Sequence, residues 1–239
     1  MTAGLLIAGL IAVVAGLMRG FAGVGSGMLM APIFAIVFGP VQTVVIIVLM
    51  EAVVTAQLLP SVYQAIDWRV IGPMALAAAM FLPLGSWVLT TVDAETMTRV
   101  IATIVLILAL VLLGGWRYAG PKRLPTSIGI GALSGTMMAA TSLGNPPVML
   151  YLLSSGDAAA IHRANFTGYF AVTLTALLSW MGARGLVTGG ALWRAALLLP
   201  VFMLAAWLGA RMFRASSEAW YRRVALTLLL MVGLYGVLR

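Results

Sequence analysis

The chain has 239 residues, 63% of them hydrophobic and only 8% charged, with no cysteine, one histidine and a formal charge of +8. Soluble domains sit near half apolar and a quarter charged, so these proportions exclude a soluble globular protein and indicate an all-α polytopic membrane protein. They also exclude disulfides and thiolate chemistry, and six acids with one histidine are too few for a metal cluster or a haem pair.

No metal or other cofactor is therefore expected. The basic residues are scattered between apolar segments, which reads as a topology signal facing anionic lipid and not as a nucleic-acid surface. The N-terminus has neither a charged n-region nor a small-residue cleavage site, so the first apolar segment is expected to stay as its own insertion signal. At about 20 residues per crossing, the length allows about seven to nine spans joined by short loops.

The first element, Ala3–Gly39, is too long for one crossing. A straight helix over Ala3–Phe38 would measure about 54 Å against a hydrocarbon core of about 30 Å. The cluster Gly16-Leu17-Met18-Arg19-Gly20-Phe21-Ala22-Gly23-Val24-Gly25-Ser26-Gly27 is where it should break. A second span follows over Val41–Leu59 between Pro40 and Pro60. Asp67-Trp68-Arg69 connects it to a third, Val70–Thr91, with Asp67 suited to cap the helix and Trp68 to the interface. Pro83 should kink that span. Asp93-Ala94-Glu95 precedes the fourth, Met97–Gly115, and Trp116–Pro125 is a basic central loop.

The second half repeats the plan. Ser127–Ser154 is apolar but broken at Thr141-Ser142-Leu143-Gly144-Asn145-Pro146-Pro147, and spans follow at Ala164–Met181, Leu192–Phe213 and Ala219–Leu238. Gly16 and Val24-Gly25 lie 119 residues before Gly135 and Leu143-Gly144. Trp68-Arg69 lies 125 before Trp193-Arg194, and Leu84-Gly85 and Arg99-Val100 lie 124 before Leu208-Gly209 and Arg223-Val224. These offsets argue for two repeats, each a glycine-broken element plus three transmembrane helices. Residues 1–116 hold the first, 117–125 the basic loop and 126–239 the second.

Basic residues discriminate two threadings. If both broken elements cross the bilayer, Lys and Arg divide seven against six. If both are re-entrant, Arg69, Arg117, Lys122, Arg123, Arg163, Arg211, Arg214, Arg222 and Arg223 share one side, and Arg99, Arg184, Arg194 and Arg239 the other. Nine against four fits the positive-inside rule better. It places both termini outside the cytoplasm and makes the repeats inverted, a known transporter design.

Unwound backbone at membrane depth is tolerated where it lines a cavity or is buried in protein. A helix restarting after Gly27, or after Pro146-Pro147, would aim a positive dipole end at such a cavity. Gly23, Gly25, Gly27 and Gly144 supply the break, and Ser26, Thr141, Ser142 and Asn145 add polar groups. Close packing of the Gly-x-x-x-Gly kind competes with this reading, but recurrence at matching points of both halves favours an anion site. Arg19 would cost about 2.5–3.5 kcal/mol at a span centre and needs an acceptor. That acceptor is either Glu51 or a bound anion, whose oxygens suit the guanidinium fork.

Glu51, an acid well inside an apolar run, reads equally as a counter-ion or as a protonatable carrier. His162 reads as an interface residue or, less readily, a proton relay. Asn165 and Tyr169 share a helix face that should look into the bundle, and Gln57 is a further candidate lining residue. Asp157 is a candidate cap and Arg222-Arg223 an orientation signal. No nucleophile with a base, no Walker loop and no metalloprotease motif is present, so an enzyme is not expected.

Gly20-Phe21-Ala22-Gly23-Val24-Gly25-Ser26-Gly27-Met28-Leu29-Met30-Ala31-Pro32 resembles the first glycine motif of the TauE/SafE family of sulfite and organosulfonate exporters. Leu143-Gly144-Asn145-Pro146-Pro147-Val148 resembles its second motif, and Asp67-Trp68-Arg69 also fits. The resemblance covers essentially the whole chain. It implies a multi-pass carrier of the bacterial inner membrane that exports a small anion, commonly sulfite or a sulfonate. Ser26 interrupts the usual run of three glycines, and Asn145 stands where glycine is common, which leaves the anion open. Protons are a candidate coupling ion, the lipid bilayer is the obligate surrounding, and a homo-oligomer is compatible with the sequence. The rival readings are an anion channel of the same architecture, a carrier of carboxylates, a cation carrier centred on Glu51, and a non-transporting membrane scaffold.

Overall fold

The computed structural model of the protein describes residues 2–22, 25–114, 120, 123–152 and 159–212. Every regular element among them is helical: α1 (Thr2–Ala22), α2 (Ser26–Phe38), α3 (Pro40–Val62), a 3-10 turn (Tyr63–Ala65), α4 (Trp68–Thr91), α5 (Ala94–Leu113), α6 (Leu124–Thr141), α7 (Asn145–Leu152), α8 (Ala159–Ala183) and α9 (Gly189–Met212). Both long apolar elements are broken where the glycines and the Asn-Pro-Pro run predicted. The eighth expected span, Ala219–Leu238, lies outside the described residues.

Among the described residues, five stretches are long and apolar enough to cross a membrane: Pro40–Ala65, Trp68–Thr91, Ala94–Val111, Ile161–Ala183 and Gly189–Gly209. Their outward faces carry large apolar side chains such as Met80, Trp87, Leu110, Trp193, Leu204 and Trp207. Water would penalise so much exposed apolar surface, whereas lipid accepts it. On α5, Met97, Ile101, Val105 and Ala109 are buried at steps of four while Val100, Ile107 and Leu110 are exposed, so an all-apolar helix buries one stripe only.

Local chemistry sets the helix ends. Asp67 caps α4, its Oδ1 accepting the Arg69 N–H at 3.1 Å, and Asp93 caps α5 by accepting the Thr96 N–H at 2.9 Å. One boundary differs from expectation: α3 runs through Pro60 to Val62. A proline there leaves the Ala56 carbonyl without its helical donor, and Ala56 and Pro60 are both exposed, so solvent or headgroups can satisfy it. Helix α4 likewise continues through Pro73 and Pro83.

The chain divides into two compact units. The first comprises residues 1–50, 92–116 and 188–239, and the second residues 51–91 and 117–187. Each unit therefore takes helices from both halves of the sequence, and α3 is shared between them.

In the first unit, Ala8, Ala12 and Ala15 on α1 have no exposed surface, and this small-residue stripe lets α9 approach. A methyl group added to Gly16 would collide with the Phe202 carbonyl, and one on Gly209 with the Leu17 carbonyl. The α1–α2 segment is a hairpin. Gly25 lies beside the Met18 side chain and Gly4 beside Val37, each with 3.0 Å to a would-be methyl, so the end of α2 returns to the start of α1.

In the second unit, α6 packs on α4 in the same manner. Methyls on Gly131, Gly135 and Gly85 would collide with the carbonyls of Met74, Ala78 and Thr136. The pairs Gly131/Met74 and Gly135/Ala78 advance by four residues on both helices, so α4 and α6 run parallel through a Gly-x-x-x-Gly contact. Adding 124 to Ala78 and Gly85 gives Phe202 and Gly209, and subtracting 119 from Gly135 and Thr136 gives Gly16 and Leu17. The two glycine locks use matching positions. The α6–α7 segment is again a hairpin: Gly144 lies against Ser134 and Met138, and seven residues further Tyr151 bonds Ser127, seven residues back on α6.

Candidate functional site

The break between α1 and α2 turns on Gly25, whose φ of 97° is open to glycine and strained for other residues. Helix α2 then starts at Ser26 with no side-chain cap, and Ser26, Gly27, Met28 and Leu29 are all buried. The Leu29 N–H bonds the Gly25 carbonyl at 3.3 Å, which closes the first turn. A buried helix N-terminus without a side-chain cap is an electropositive end suited to an anion. Arg19 occupies the last turn of α1 and is only 4% exposed. Arg19 thus lies six residues before the Gly25 turn, and the N-terminus of α2 begins one residue after it. Gly23 lies outside the described residues.

The break between α6 and α7 is built differently. Ser142 takes the left-handed conformation at φ 60°, and its N–H bonds the Met138 carbonyl. The Thr141 hydroxyl donates to the Met137 carbonyl at 2.7 Å and accepts the Leu143 N–H at 3.2 Å. The Ser142 hydroxyl donates to the Thr141 carbonyl at 2.6 Å. Each hydroxyl carries one proton, so an anion at this break competes with the backbone for both. Asn145 opens α7 and is partly exposed, while Pro146 and Pro147 follow it and contribute no N–H. The α7 N-terminus is thus a poorer set of donors than that of α2.

A hydroxyl relay fixes this second break. The Tyr169 hydroxyl donates to Ser134 Oγ at 2.7 Å, and Ser134 donates to the Gly144 carbonyl. Tyr169 has no exposed surface and Asn165 is buried beside it, so the face they share does look inward. Asn165 does a separate job: its Oδ1 accepts the Asp67 N–H at 2.8 Å, tying α8 to the start of α4. Ser134, Ser127 and Tyr151 were not among the expected site residues. The available signal was a serine between two glycines, Gly131 and Gly135, in an apolar run.

Glu51 is 7% exposed and lies within α3, in the second unit, while Arg19 belongs to the first. His162, near the start of α8, is buried, and its Nδ1 has no hydrogen-bond partner among the described residues. Gln57 is exposed on α3. Asp157, Arg222 and Arg223 lie outside the described residues.

Comparison with protein-family models matches residues 8–236 to the family described as sulfite exporter TauE/SafE. No curated protein and no solved structure matches the chain.

Proposed function

The chain belongs to the sulfite exporter TauE/SafE family, and on that footing we propose that it is a secondary transporter exporting sulfite or an organosulfonate across a bacterial inner membrane. The observation that carries the reading is a buried arginine, Arg19, in the last turn of α1, six residues before the Gly25 turn at which α2 starts with a buried N-terminus and no side-chain cap. A guanidinium fork can hold two oxygens of a sulfite or sulfonate group, and helix N–H groups can hold the third. Asn145, at the other break, is a candidate anion contact of the second unit. Glu51, or His162, is the candidate group that couples transport to a proton.

The matching glycine locks support reading the chain as two repeats. The return of each hairpin to its own starting end supports re-entrant broken elements, and with them the nine-against-four distribution of basic residues and inverted repeats.

The test is a thermal-shift and proteoliposome flux series with sulfite, sulfoacetate, taurine, isethionate, lactate and phosphate. Sulfite or a sulfonate should stabilise the protein and show saturable flux and counterflow. Truncating a charge that holds a buried ion costs about 2–5 kcal/mol, so Arg19→Ala should weaken the effective anion by about 30-fold or more. An anion that stabilises the parent and Arg19→Ala equally would remove Arg19 from the site.

A further inference from the structure

The second unit contains a cavity of about 500 Å³ between the C-terminal ends of α4 and α8, lined by Pro83, Ser86, Trp87, Thr90, Trp180 and Arg184 among others. We propose that it is a binding niche for an anionic phospholipid, with Arg184 holding the phosphate and the outer face of α4 carrying an acyl chain.

The spans Trp68–Thr91 and Ile161–Ala183 both end there, so the cavity sits where hydrocarbon gives way to headgroups. Its chemistry is mixed in the way that boundary demands. Trp87 and Trp180 provide apolar walls with polar edges, as interfacial tryptophans do. The Arg184 guanidinium lies 5.8 Å from the centre of the Trp180 ring, within cation–π range. No carboxylate among the described residues pairs with it, so its charge is available to a phosphate. The indole N–H of Trp180 is itself buried and has no hydrogen-bond partner among the described residues. The volume exceeds what a bare phosphate needs, since a water takes about 30 Å³, and it falls within the range of about 300–1,000 Å³ typical of ligand pockets.

What favours a lipid over a soluble anion is the surface leading away from the cavity. Met80, Leu84 and Trp87 are 70%, 47% and 62% exposed and follow one another at i, i+4 and i+7 on α4, so they form one apolar stripe. It runs from the cavity toward the middle of the span. A ligand filling both features needs a phosphate at one end and a hydrocarbon chain at the other.

The experiment is native mass spectrometry of the purified protein in detergent, titrated with phosphatidylglycerol or phosphatidylcholine and then with inorganic phosphate. Phosphatidylglycerol should be retained in preference to phosphatidylcholine, and millimolar phosphate should not displace it. Arg184→Gln should lower phosphatidylglycerol occupancy at least fivefold and Arg184→Lys should recover most of it, while Arg163→Gln, at the other end of α8, leaves it unchanged. Equal retention by the parent and Arg184→Gln overturns the proposal. So does equal retention of the two lipids, or displacement by phosphate, which would mark a general anion site. None of these readouts depends on transport.

Discussion

At the break of the α1–α2 hairpin the chain turns through a left-handed glycine six residues after the buried Arg19, and α2 begins buried and without a side-chain cap. At the break of the α6–α7 hairpin the turn residue is Ser142, and hydroxyls from Thr141, Ser142, Ser134 and Tyr169 are spent on the hairpin's own helices. The residue 119 positions before Ser134 is Ala15, which has no hydroxyl to give. Two segments with the same outline are thus built differently. One is a turn whose hydroxyls are hydrogen-bonded within the protein. The other has a buried arginine in the turn before the break and a helix that starts buried just after it.

The largest effects should come from the glycine locks the two units share. Gly85→Ala and Gly135→Ala press a methyl into a backbone carbonyl that cannot rotate away. Each should cost at least the upper part of the usual overpacking range of about 1–3 kcal/mol. Gly16→Ala and Gly209→Ala should cost as much, while Gly9→Ala and Gly129→Ala, which meet open space, should be neutral or gain up to about 1 kcal/mol from helix propensity. Unfolding titrations in mixed micelles measure all six. If α1 and α9 accept a methyl that α4 and α6 reject, the equivalence of the two locks is broken.

Next in size is the relay. Ser134→Ala strips the Gly144 carbonyl of its donor and Tyr169 of its acceptor, at about 1–3 kcal/mol. Tyr169→Phe leaves the Ser134–Gly144 bond in place and should cost about 0.6 kcal/mol, a typical membrane hydrogen bond. A larger loss from Tyr169→Phe than from Ser134→Ala would reverse the order of the relay. Smaller again are the turns themselves. Gly25→Ala should cost about 1–2 kcal/mol through its positive φ, whereas Ser142→Gly should be neutral within about 1 kcal/mol, because the relaxed backbone offsets the lost hydroxyl bond. Thermal midpoints of the two variants compare the turns directly.

The smallest effect lies outside both hairpins. The Thr96 N–H holds the Asp93 carboxyl below the ordinary carboxylate range. A lowered folded value means the cap stabilises above the unfolded value and is lost as pH falls through the folded one. Asp93→Ala should lower the thermal midpoint slightly at neutral pH, and the difference from the parent should close in strong acid. A difference that persists there would assign the effect to packing instead of charge.

Much of this was readable in one dimension. Helix, membrane and break are local or additive properties: an apolar run too long for a bilayer must bend, glycines and Asn-Pro-Pro say where, and Asp67 announces the start of α4. The constant offsets between the halves were readable because they fall on glycines, and the glycine contacts of α1 with α9 and of α4 with α6 use positions at those offsets. Arg19 was visible because a charge in an apolar run needs an acceptor wherever the helix lies.

Other features depend on residues distant in sequence meeting. Pairing α1 with α9 and α4 with α6 interleaves the two halves, so that each unit draws on both, and no local pattern encodes which carbonyl a glycine will face. The Ser134 hydroxyl, ten residues before Gly144 and thirty-five before Tyr169, joins the break only when α6, α7 and α8 pack. The exposure of Gln57, the burial of His162 and the cavity beside Arg184 were likewise set by neighbours on other helices, because burial is a property of the packed surface and not of the residue.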